Sequence, residues 1–70
     1  TLGDPFALAR IITVLKANAD HNMATDVYAL ATALQRELPS IPRGELIRLI
    51  EKTVVELRVS ALWMKPDNEN

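Results

Sequence analysis

Residues 42–64 read PRGELIRLIEKTVVELRVSALWM, and their apolar positions set the architecture that we predict for the chain. Taken as one helix at about 100° per residue, they place apolar side chains on two opposite faces. The first face contains Ile47, Ile50, Val54, Leu57, Ala61 and Met64. The second face contains Val55, Val59, Leu62 and Trp63. A helix that is apolar all round is usually surrounded by protein, so the pattern predicts a partner for its second half.

The composition is typical of one small helical domain without covalent cross-links. The chain has 70 residues, of which 49% are hydrophobic and 24% are charged, and it contains two Gly and no Cys. A domain of this length buries only about 60% of the surface that its unfolded chain exposes. Because the lack of Cys excludes disulfides and thiolate metal sites, oligomerisation is the remaining common way to stabilise so small a domain.

Capping and breaking residues divide the chain into three predicted helices and a polar tail. The predicted boundaries are residues 5–19, 25–38, 42–65 and 66–70. Asp4 before Pro5 is a strong start signal, and Thr25 is the expected N-cap of the second helix. Two prolines within residues 39–42 separate the second and third helices, and Ile41 is expected to fill the gap between them. The predicted fold class is all-α, a compact three-helix domain with a long C-terminal helix, assembled as a dimeric helical bundle.

The third predicted helix is longer than the two helices that would cover it. Its residues would span roughly 33 Å, against roughly 20 Å for each of the others. Its last two turns would then extend beyond its neighbours, and a two-fold homodimer would cover them. The residues expected at this protein interface are Val55, Val59, Leu62, Trp63 and Met64. Trp63→Asp is accordingly expected to convert a dimer into a poorly stable monomer.

The polar residues form no recognisable catalytic or metal-binding pattern. His21 is the only imidazole, and it lies beside Asp20 in a predicted surface turn. A single His without Cys excludes the usual structural zinc patterns. Asp20, Asn22 and Asp26 lack the Gly and the terminal Glu of a calcium-binding loop. No Gly-rich phosphate loop is present, so we expect a chain that is not an enzyme and has no catalytic residues, metal or cofactor.

An alternative interpretation is a dimeric helix-turn-helix DNA-binding regulator built on residues 29–52. Recognition helices present their N-terminal side chains to the major groove. The candidate nucleic-acid contacts are Arg43, Arg48 and Lys52. However, Arg48 with Glu51 and Lys52 with Glu56 have the spacing of ordinary surface ion pairs. The net charge of −1 also gives no general attraction for phosphate, so DNA binding stays the second interpretation.

These patterns favour a small non-enzymatic protein-interaction or dimerisation module, regulatory or adaptor in kind, that associates through its third helix. A homodimer is expected, and a heterologous protein partner is the open alternative. No stretch has the roughly 18 uninterrupted apolar residues that a membrane span needs. No charged segment followed by an apolar leader is visible. We therefore expect a cytoplasmic protein that does not bind membranes.

Overall fold

The computed structural model describes residues 5–64, which form three helices and two very short strands. The elements are α1 (Pro5–Asp20), β1 (Thr25–Asp26), α2 (Val27–Glu37), α3 (Arg43–Leu57) and β2 (Ala61–Leu62). Most of these residues are helical, which confirms a mainly helical, compact three-helix fold. The expected N-cap Asp4, residue 65 and the predicted tail at 66–70 lie outside the described residues.

The core forms where α3 lies against both α1 and α2. Each helix contributes apolar side chains spaced three or four residues apart, and this spacing places them on one face. The buried apolar residues of the helices are Ala7, Ile11, Leu15, Val27, Ala31, Leu34, Leu46, Leu49, Ile50 and Val54. Ile41, in the turn between α2 and α3, is only 4% exposed and completes the core, which confirms its predicted position. Arg10 of α1 also pairs with Glu37 of α2 at 3.0 Å.

The second helix begins two residues later than predicted, and a different residue caps it. Asp26 is the N-cap of α2, and its carboxylate accepts a hydrogen bond from the backbone N–H of Ala29 at 3.2 Å. The predicted cap, Thr25, is instead buried, and its hydroxyl accepts a hydrogen bond from the Asn18 side-chain amide at 2.8 Å. Asp and Thr are both good caps, so local preference alone did not distinguish these neighbours.

The third helix ends at Leu57 and not at residue 65, so the predicted long helix is wrong. Arg58 adopts a left-handed conformation with φ 56° and ψ 44°. The backbone N–H groups of Arg58 and Val59 donate to the carbonyl groups of Val55 and Val54, each at 3.3 Å. This is the hydrogen-bond pattern of a Schellman motif, which most often places Gly at the left-handed position.

Burial of Val59 is the physical reason for this early end. In a continued helix Val59 would follow Val55 by one turn and point, like it, away from the core. In the structure Val59 and Ala61 instead pack against the core residues. A left-handed non-glycine residue costs roughly 1–2 kcal/mol, while burying an apolar side chain contributes about 1.5–3 kcal/mol when complete. Partial burial of two side chains therefore offsets the strain at Arg58.

After Arg58 the chain is extended and adds a strand beside the loop that precedes α2. β2 pairs in parallel with β1, with Thr25 opposite Ala61 and Asp26 opposite Leu62. The backbone N–H of Thr25 also donates to the carbonyl of Ser60 at 3.1 Å. These hydrogen bonds attach residues 60–62 to the start of α2, whereas the sequence pattern predicts those residues at the end of the third helix.

The length of α3 therefore gives no reason to expect a partner chain. α3 has 15 residues and ends at Leu57, against 16 residues in α1 and 11 in α2, so the two further turns that were predicted to extend beyond the other helices are absent. Within residues 5–64, the helices are too short or too polar to cross a membrane.

Candidate protein-interaction surface

Four of the five predicted interface residues are exposed, although they are not on one helix. The exposed fractions are 74% for Val55, 46% for Leu62, 49% for Trp63 and 64% for Met64. We call these four residues the C-terminal apolar surface. The fifth, Val59, is half-buried and packs against the core, so it is not part of this surface.

A side-chain hydrogen bond fixes this surface against α3. The indole N–H of Trp63 donates to a carboxylate oxygen of Glu51 at 2.8 Å. Val55 lies one turn further along the same side of α3 as Glu51. Trp63 is therefore held beside the outward face of α3, with Val55 next along that face and Leu62 and Met64 adjoining Trp63 in the chain.

The hydrogen bond leaves Trp63 with a satisfied polar atom and a half-exposed apolar ring. Indole N–H groups usually have a partner when they are removed from water, and here Glu51 provides it. The contact was not predictable from the helical pattern. In a continuous helix, Glu51 and Trp63 would be about 18 Å apart along the axis. Only the reversal at Arg58 brings them together.

The three candidate nucleic-acid residues do not form one cluster. Arg43 lies over the ring of Tyr28 on α2, with its guanidinium carbon 5.8 Å from the ring centroid. Arg48 and Lys52 are both exposed and lie one turn apart on the outward face of α3. Nine residues separate Arg43 from Lys52, which places them on opposite sides of the helix. The structure therefore brings together two of the three cations.

The surface ion pairs expected along α3 are not formed. Glu51 accepts from Trp63, and neither Arg48 nor Lys52 makes an ion pair or side-chain hydrogen bond with any residue in 5–64. Glu56 is likewise exposed and without a partner there. The outward face of α3 thus offers two cations and one anion to a binding partner, next to the apolar Val55.

A second feature is a cavity of about 260 Å³ between the C-terminal ends of α1 and α3. The residues that line it are Ala19, Asn22, Met23, Arg58, Val59 and Ser60. His21 and Asp20, the only His–Asp neighbours in the sequence, are exposed beside it and are not lining residues. Residues 5–64 contain no group of three or more His, Asp or Glu side chains placed to hold a metal ion.

Comparison with known proteins adds no relative to these observations. No protein-family model matches the chain, and no curated protein or solved structure matches it either.

Proposed function

We propose that this chain is a small non-enzymatic interaction module, regulatory or adaptor in kind, that pairs with a second copy through the C-terminal apolar surface. The observation that carries the proposal is the half-exposed ring of Trp63, bonded to Glu51 one turn before the exposed Val55. Large aromatic side chains are enriched at the centres of protein interfaces and often provide most of the binding energy.

The hydrogen bond to Glu51 favours binding by reducing its entropic cost. Ordering a side chain at an interface costs about 0.5–1.5 kcal/mol. The bond between Trp63 and Glu51 orders the indole in the free chain, so less ordering is needed on association. It also satisfies the indole N–H, which would otherwise need a partner once the interface excluded water.

The charges beside this surface favour a second copy of the chain over an unrelated partner. In a two-fold interface, when one residue of the first copy contacts a different residue of the second copy, the same contact forms again with the two copies exchanged. Lys52 and Glu56 carry opposite charges one turn apart and have no partner in the described residues. Two copies packed antiparallel along α3 would each place Lys52 against the other's Glu56.

The test is the solution mass of the chain over a dilution series. Sedimentation equilibrium from about 1 µM to 500 µM should show mass rising from the monomer's 7.8 kDa towards twice that value. Fluorescence of Trp63, the single Trp, should shift to shorter wavelength over the same range as its ring leaves water. A constant 7.8 kDa at all concentrations would overturn the proposal of a second copy.

A second candidate function is DNA binding through Arg48 and Lys52, favoured by their exposure and lack of partners on the helix that follows the α2–α3 turn. Two cations per chain give about four phosphate contacts in a dimer, fewer than the roughly 6–10 of tightly bound proteins. DNA binding is therefore less well supported than association with a second copy of the chain.

The DNA candidate predicts weak, strongly salt-dependent binding. Fluorescence anisotropy with a labelled random duplex at about 50 mM salt should detect binding whose log affinity falls by about 0.9 per phosphate contact for each unit of log salt. Arg48→Ala with Lys52→Ala should remove the binding. Arg43→Ala is the control, because Arg43 lies on the opposite side of α3 against Tyr28. Absence of binding at this low salt would eliminate the candidate.

A further inference from the structure

The cavity between the ends of α1 and α3 combines a cation, two neutral polar groups and an apolar wall. Arg58, Asn22 and Ser60 provide the polar groups, and all three are exposed. The apolar wall is formed by Ala19, Met23 and Val59. Five of the six lining residues are exposed, so the cavity is open to solvent and a ligand in it would keep part of its surface in water.

The polar side chains of this cavity have no partners within the part of the chain that the structure describes. Asn22, Arg58 and Ser60 form no side-chain hydrogen bond or ion pair with any residue in 5–64. The three side chains thus present hydroxyl, amide and guanidinium donors around one space. A guanidinium has five N–H donors in a fixed plane that matches the two oxygens of a carboxylate.

Arg58 is not needed to cap the helix ends that surround the cavity. The N–H of Val59 bonds the carbonyl of Val54, and the N–H of Asn22 bonds the carbonyl of Ala19. The N–H of Arg58 itself bonds the carbonyl of Val55. These backbone bonds satisfy the carbonyl groups of Val54, Val55 and Ala19 without the Arg58 side chain. The charge of Arg58 therefore stays available to a ligand.

Two lining residues occupy a backbone conformation that favours glycine. Asn22 and Arg58 both have φ of 56°, and they are the non-glycine residues with positive φ in residues 5–64. Asn tolerates this conformation, whereas Arg is strained in it. Gly would adopt this backbone conformation at a lower cost than Arg. The presence of Arg58 here therefore indicates a role for its side chain beyond the turn.

We propose that this cavity binds a carboxylate that carries a short apolar group, with Arg58 paired to the carboxylate and Met23 and Val59 against the apolar group. The volume of about 260 Å³ lies below the roughly 300–1,000 Å³ of sites for drug-sized ligands, so it suits a fragment of a few carbon atoms. Two sources have this chemistry: a free short-chain carboxylate and the C-terminal residue of a peptide.

The experiment is a titration of the ¹⁵N-labelled chain with isobutyrate at constant ionic strength, followed by amide chemical shifts. Saturable shifts are expected at residues 22 and 58–60. The neutral analogue isobutyramide should bind at least about tenfold more weakly, because it cannot form the charged pair with Arg58. An acetylated tripeptide ending in Val identifies the source. If the tripeptide binds more tightly than isobutyrate and its C-terminal amide does not bind, the ligand is the end of a peptide. If the tripeptide binds equally or more weakly, the ligand is a free carboxylate.

The decisive variant is Arg58→Gly, because it removes the charge while relieving the backbone strain. Its melting temperature should be at least that of the wild-type chain, and its affinity for isobutyrate should fall at least about tenfold. Arg36→Ala is the matched control, since it removes one exposed Arg from α2, away from the cavity. The proposal is overturned if Arg58→Gly binds as well as wild type, if Arg36→Ala weakens binding equally, or if the shifts spread over all the cationic residues.

Discussion

Trp63→Asp is expected to raise the dimer dissociation constant at least about 100-fold and to leave the chain monomeric where the wild type pairs. The substitution removes the half-exposed ring that we place at the centre of the interface. It also removes the N–H donor to Glu51 and introduces a second carboxylate on the segment that this bond holds to α3, so a like charge is added near Glu51. Sedimentation equilibrium of the variant beside the wild type measures the change.

The repulsion at Glu51 means that Trp63→Asp alone would also loosen the extended segment, so a second variant is required. Val55→Asp alters the same surface at a residue that is 74% exposed, and it keeps both partners of that hydrogen bond. It should abolish pairing while the melting temperature of the monomer stays close to wild type. Ala33→Asp, on an exposed position of α2, is the control for added charge and should still pair. Pairing of Val55→Asp at wild-type strength would contradict the proposed interface.

Ile50→Ala is expected to destabilise the fold by about 2–5 kcal/mol. Ile50 has no exposed surface, and it lies on the face of α3 that packs into the core. A chain of this length has a total stability of roughly 4–10 kcal/mol, so this one change would remove a large fraction of it. Urea unfolding followed by far-UV circular dichroism measures the difference in the free energy of unfolding.

A matched series makes the result for Ile50 specific. Ile50→Val removes one methylene from the same site and should cost only about 0.5–1.5 kcal/mol. Ile47→Ala removes the same atoms from a half-buried position on the edge of the core and should cost less than Ile50→Ala. Equal losses at Ile47 and Ile50 would show that α3 is rotated relative to the packing described above.

The three helices and most of the core were predictable because their signals are local. Pro and polar residues mark the breaks, and apolar residues at three- and four-residue spacing mark the buried faces. Ile41 was placed in the core from its apolar, β-branched side chain in an otherwise polar turn, and it is buried there. Val55, Leu62, Trp63 and Met64, which the pattern predicts to contact another chain, are exposed in the single chain, although the last three do not lie on a helix.

The end of α3 was not predictable from local pattern. Residues 58–64 continue a helical apolar spacing, and Arg58 gives no sign of a helix end because Gly is the usual signal there. The pattern therefore predicts a longer helix with an overhang, in which Val59 contacts another chain. The Glu51–Trp63 bond and the cavity beside Arg58 depend on the reversal, so neither follows from the helical pattern.

The sequence alone therefore determined that the chain forms three helices and where the first two loops lie, but the face predicted for the third helix lacks Leu46 and Leu49, which are buried in the core. Those properties depend on residues within a few positions of one another, and periodicity records them directly. The tertiary structure decided where α3 stops, because that choice compares a continued helix with burial of Val59 and Ala61 and pairing to Thr25 and Asp26. This comparison joins residues more than thirty positions apart, and its free-energy terms exist only once α1 and α2 have packed against α3.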